Sequence, residues 1–211
     1  MENKKDWERR SYTFEIRAEE LDGEKIISGR PIVYESKTDM LYYAEIIKRG
    51  AIDGADLRDV RFLVNHDTKR IPLARSRGNN GNSTMYLQPD LEGLSIRVSL
   101  DTENNADARA LYSAVKRGDI TGMSFAFSVE SEKWYNLESD YPTREIVKIG
   151  RVVEVSAVTF PAYQDTTISA REKETVEKAR EEVRQAREAD KKRNDELVKE
   201  KLRILAKIKS I

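Results

Sequence analysis

The chain has 211 residues, room for one sizeable domain and an appendage, since domains usually run to roughly 100–200 residues. Its 38 basic and 38 acidic residues balance, which excludes the global field that marks nucleic-acid or membrane-surface binders. With no cysteine and one histidine, disulfides, thiolate catalysis, cysteine zinc sites and histidine metal clusters are excluded as well. The start, residues 1–10, is polar, and no apolar run approaches the roughly 18 residues that span a bilayer. A soluble, unsecreted protein is expected.

Tyr12, Phe14 and Ile16 alternate with polar residues as a half-buried strand requires, and Asp22-Gly23 supplies a turn into a second strand over 25–34. Gly29 and Pro31 in that second run predict a bulge or an edge position, because proline cannot donate to a ladder. Further strands are expected at 44–47, at 60–64 and at 83–87 paired with 94–100 through Pro89-Asp90 and Gly93. Between 107 and 116 the period turns helical, with Ala108, Leu111, Tyr112 and Val115 on one stripe and Gly118 as the break. Strands at 125–129, 146–149 and 152–160, closed by Pro161, complete a β-rich α+β body.

Composition changes near Ala170, after which more than half of the residues are charged and none is Gly, Pro or aromatic. The expected division is a body of residues 1–170 and a charged helical tail of residues 171–211, with opposite charges often three or four apart. Val176, Val183, Leu197, Ile204 and Ile211 fit one heptad position, but Asp190 interrupts it. The tail suits a solvated single helix as well as a coiled coil.

The residues leave few mechanisms. No Asp/Asn/Gly loop has calcium spacing, and the stretch 78–81 lacks the Lys-Ser/Thr ending of a phosphate loop, so neither a metal nor a nucleotide cofactor is expected. Acid–base or nucleophilic chemistry remains. His66, in Asn65-His66-Asp67 directly after an apolar strand, is placed as a general base would be, although the same pattern suits a surface histidine at a strand end. Ser124 in Gly122-Met123-Ser124-Phe125 could be a nucleophile activated by that base, or a structural turn serine.

Five segments change the balance. Residues 43–52 (YAEIIKRGAI), 60–67 (VRFLVNHD), 90–94 (DLEGL), 118–127 (GDITGMSFAF) and 154–162 (EVSAVTFPA), in that order, resemble the prohead proteases of tailed bacteriophages of the HK97 type. The likeness spans roughly residues 12 to 165. It implies that His66 and Ser124 are the catalytic pair. It also implies a herpesvirus-protease-like fold, a β-barrel with surrounding helices. In the herpesvirus enzymes a second histidine orients the first, which this single-histidine chain cannot supply. A carboxylate is expected instead, with Glu154 as the candidate and Asp67 and Asp119 as alternatives.

The implied function is a serine endopeptidase of head maturation. Its expected substrate is the scaffolding portion of the major capsid protein, and itself, inside the prohead in the bacterial cytoplasm. Expected partners are the major capsid protein with its scaffolding segment and further copies of the chain, but neither nucleic acid nor membrane. The rival reading is a non-catalytic scaffold or assembly protein that keeps the fold and acts through its helical tail.

Overall fold

The computed structural model describes residues 7–12, 16–160 and 166–209. Phe14, Pro161 and Ile211 lie outside the described residues. The architecture is α+β and strand-rich.

The hairpin at Asp22-Gly23 is strand β2 (Ile16–Leu21) against β3 (Glu24–Val33); of the residues expected in its first strand, Ile16 opens β2, whereas Tyr12 belongs to a strand of the other sheet. Asp22 and Gly23 between them both take positive φ, of 50° and 84°, as a two-residue primed turn demands. The expected irregularity at Gly29 and Pro31 is present as a register shift between Gly29 and Ile32 where β3 meets β9 (Gly93–Leu100). Gly93 has φ 148°, and a Cβ there would lie 1.9 Å from the Ile32 carbonyl oxygen, so only glycine allows the two strands this approach. With β8 (Met85–Pro89) these form a four-stranded sheet in the order β2-β3-β9-β8.

Among the described residues the larger sheet has seven strands. β1 (Glu8–Tyr12), β10 (Gly122–Tyr135), β11 (Thr143–Val158), β5 (Ala44–Ile47) and β4 (Lys37–Asp39) follow one another across it. β6 (Val60–Val64) runs parallel to the C-terminal half of β11 and carries β7 (Ala74–Ser76). Helix α1 (Ala106–Arg117) starts under the Asn105 side chain, which accepts from the Asp107 and Ala108 amides, and ends at Gly118 in the left-handed region.

The expected barrel is not closed. β1 and β2 are consecutive in the chain but pair with different partners, β10 and β3. Among the described residues no ladder joins the two sheets. They pack face to face over one core that includes Ile27, Ile32, Phe62, Leu94, Phe125, Phe127 and Val155.

Part of the larger sheet is ionic rather than apolar. Arg10 of β1 and Arg144 of β11 converge on Glu45, whose side chain is 0% exposed, and both also reach Glu8 at 2.6 Å. Burial favours the neutral form of Glu8, but Arg144 and Arg10 outweigh it and hold the carboxyl down at about 2. That contribution to stability is present above the ordinary carboxylate range and is lost as pH falls toward about 2. Arg144→Ala strands Glu45 without half of its counter-charge, so it is expected to lower unfolding free energy by about 3–5 kcal/mol at neutral pH, read by urea denaturation.

Helix α2 (Thr166–Lys209) docks its early turns beside this cluster. Val176 packs on Met40 and Tyr43, and Arg180 donates to the carbonyls of Leu137 and Ser139. From residue 188 to residue 199 every side chain is exposed. Glu172 is buried with both carboxylate oxygens unpartnered, beside a cleft of about 1350 Å³ shared with Arg10, Tyr43 and Arg144. Burial pushes its carboxyl up to about 7, with Arg10 opposing and Glu45 and Asp39 adding to the rise.

A raised carboxyl stabilises fully below its unfolded value, and the benefit is lost as pH climbs through about 7. Glu172→Gln should therefore melt with the wild type near pH 3.5 but about 2–4 °C above it near pH 8. Equal melting at both pH values would contradict this.

Candidate functional site

β6 buries Val60 and Phe62 in the core and aligns Leu63 with Ser156 and Val64 with Ala157 of β11. The chain leaves the strand through Asn65 and His66, which take φ of 50° and 58°. For non-glycine residues this left-handed geometry costs roughly 1–2 kcal/mol each. Hydrogen bonds from Asn65 offset it. Its amide donates to the Ala157 carbonyl at 2.9 Å, and its side chain accepts from the Thr159 amide and donates to Thr159 Oγ1, both at 2.9 Å. The turn that presents His66 is therefore held on both sides.

Glu154 and Ser156 lie two apart on β11 and so share a face. His66 Nδ1 stands 2.5 Å from Glu154 Oε1, with the two side chains 17% and 6% exposed. A carboxylate only accepts, so Nδ1 carries the hydrogen, and in the neutral imidazole the lone pair is then on Nε2. The second carboxylate oxygen accepts from the Ser156 hydroxyl at 2.5 Å, and the same hydroxyl accepts from the His66 amide at 3.3 Å. Such a pair can take up a proton at Nε2 while the carboxylate stabilises the imidazolium.

Ser124 lies on β10 in register with Ser156, about one strand spacing or 4.8 Å away. Met123, Phe125 and Phe127 point into the core, so by alternation Ser124 takes the face of Ser156 and Glu154. It is fully buried. Its hydroxyl donates to the Arg10 carbonyl at 2.8 Å and accepts from Ser11 Oγ at 2.9 Å. Among the described residues no hydrogen bond joins Ser124 to His66.

Of the three site residues named from sequence, His66 and Glu154 are in contact, and Ser124 is a strand away and engaged by β1. The two alternative carboxylates are occupied elsewhere. Asp67 accepts from the Lys69 amide at 3.0 Å, and Asp119 pairs with Arg117. Sequence reasoning missed Ser156 and Asn65. The Glu-x-Ser spacing, which puts a hydroxyl beside the carboxylate on one strand face, was a usable signal for the first. The tolerance of asparagine for the left-handed region was one for the second. No group of three or more histidine or carboxylate side chains that could hold a metal is found among the described residues.

Comparison with known proteins gives a family and two relatives. The family of caudovirus prohead serine proteases matches residues 12–181. The prohead protease of Enterobacteria phage HK97 is 32% identical over 130 residues, covering 60% of this chain and 52% of that protein. N-acetyl-gamma-glutamyl-phosphate reductase of Methanosphaera stadtmanae is 29% identical over 121 residues, covering 48% of this chain and 34% of that enzyme. The chain thus spans about half, or less, of the length of these relatives. No solved structure matches.

Proposed function

The chain belongs to the family of caudovirus prohead serine proteases, and from that membership we propose that it is a serine endopeptidase of phage head maturation. Inside the assembling prohead, in the bacterial host, it cuts the scaffolding portion from the major capsid protein and cuts itself. His66 is the base, Ser124 the nucleophile and Glu154 the group that orients the imidazole. The observation that carries this reading is the contact between the chain's single histidine and Glu154, one strand from Ser124 on the same sheet face.

In this mechanism the Ser124 hydroxyl rotates from the Arg10 carbonyl to His66 Nε2, which takes its proton as Oγ attacks the substrate carbonyl carbon. The imidazolium then protonates the leaving amine. Water, deprotonated by the same nitrogen, hydrolyses the acyl-enzyme.

The division into a body of residues 1–170 and a tail of 171–211 belongs to the same proposal, with the tail addressing the enzyme to the scaffold or being removed by self-cleavage. The exposed face of residues 188–199 favours a role in association. Kinship with the herpesvirus assembly protease is retained without a closed barrel, on the strand-rich α+β layout.

The full burial of Ser124 favours a second reading, a non-catalytic assembly protein that keeps the fold. Coexpression with the major capsid protein separates the two. The capsid chain is expected to be shortened by the wild type and to stay at full length with His66→Ala. Equal shortening, or none with either, would overturn the enzymatic reading.

A further inference from the structure

Ser156 has no role in the mechanism above, yet among the described residues its hydroxyl is the one group that hydrogen-bonds to both halves of the histidine–carboxylate pair. It is fully buried. It donates to Glu154 Oε2 at 2.5 Å and accepts from the His66 amide at 3.3 Å. Because it sits in register with Ser124 on one side and Leu63 on the other, it lies between the nucleophile strand and the strand that delivers the base.

We propose that Ser156 is a positioning residue that fixes the tautomer and location of His66 by clamping Glu154 and the His66 backbone turn together; this rests on the proteolytic reading of the same site. Two constraints need such a clamp. The Glu154 carboxylate can rotate about its terminal torsion, which is broad and weakly restrained. With Oε2 held by the Ser156 hydroxyl, Oε1 is left facing Nδ1. The left-handed conformation of His66 is the second constraint, since it persists only where surrounding bonds over-determine it. The Ser156 oxygen supplies one of those bonds, and Asn65 supplies the others through Ala157 and Thr159. The Ser156 hydroxyl is engaged by the Glu154 carboxylate and the His66 amide, so its effect on chemistry passes through His66.

A single histidine makes the test direct, because every imidazole signal in the nuclear magnetic resonance spectrum is His66. In the full-length wild type the Nδ1 proton should give an exchange-protected downfield resonance, and the ¹⁵N shifts should report one tautomer. Ser156→Ala should lose that resonance and mix the tautomers. It should also lower kcat by about 10–100-fold with KM unchanged, the size usual for groups that orient a reactive ligand. Ser156→Thr, which keeps the hydroxyl, should restore both the resonance and kcat.

An unchanged His66 spectrum in Ser156→Ala would overturn the proposal. So would a loss of activity as complete as that of Ser124→Ala with KM and the spectrum intact, because Ser156 would then be acting on substrate. A wild type that cleaves nothing, yet loses its downfield resonance on Ser156→Ala, supports the clamp and overturns the proteolytic reading instead.

Discussion

Ser124→Ala is expected to reduce cleavage of the capsid substrate by roughly 10⁶-fold in kcat, the size of loss that follows removal of an activated serine nucleophile. The expectation follows from what Ser124 is placed to do. It shares a sheet face with Glu154 and Ser156 on β11, which lies between its own strand and β6, the strand that ends in the turn presenting His66. Its present partners, the Arg10 carbonyl and Ser11 Oγ, both belong to β1. Substitution by alanine leaves the Arg10 carbonyl short of one donor, which costs about 1 kcal/mol of stability. The fold therefore survives, and a thermal transition lowered by only about 2–4 °C alongside the lost activity separates chemistry from unfolding. A variant that retained activity within tenfold would remove Ser124 from the mechanism.

Glu154→Gln carries the second largest effect, a fall of about 10⁴-fold in kcat with the geometry retained, as for other histidines whose orienting carboxylate becomes an amide. The reason is the direction of one hydrogen bond. The carboxylate accepts from Nδ1 and leaves the lone pair on Nε2. The amide can instead donate its N–H to Nδ1, which moves the imidazole hydrogen to Nε2, where no proton can be taken from serine. Ser156 can still donate to the amide oxygen, so the local frame is kept. Steady-state cleavage kinetics measure the loss. A decline of less than tenfold would mean that another group orients His66.

Legibility differed from element to element, for physical reasons. The hairpin at Asp22-Gly23 and helix α1 were readable because turn chemistry and a 3.6-residue stripe are local signals. β6 was readable because its apolar run ends sharply at Asn65. β11 was expected as two strands, and it is one of 16 residues running through Gly150 and absorbing register shifts against β10. β1 was readable only at Tyr12, its last residue, which was assigned to the hairpin instead. Its sequence ERRSY looks like a solvated terminus, and only the long-range cluster of Arg10 with Glu45, Glu8 and Tyr43 makes a buried arginine on an edge strand tolerable.

That omission explains the part of the site that sequence could not anticipate. The engagement of Ser124 by Arg10 and Ser11 depends on a strand with no local signature. The solitude of the histidine together with the family resemblance pointed to a carboxylate partner with Glu154 as one of three candidates, and both its contact with His66 and the place of Ser156 depend on the parallel register of β6 with β11.

The most direct measurement of the central assignment is to treat the full-length chain, in the presence of its capsid substrate, with a serine-directed phosphonate and map the modified peptide by mass spectrometry. A single adduct on Ser124 that disappears in His66→Ala is the result this mechanism predicts. An adduct on Ser156, or on Ser124 to the same extent without His66, would contradict it.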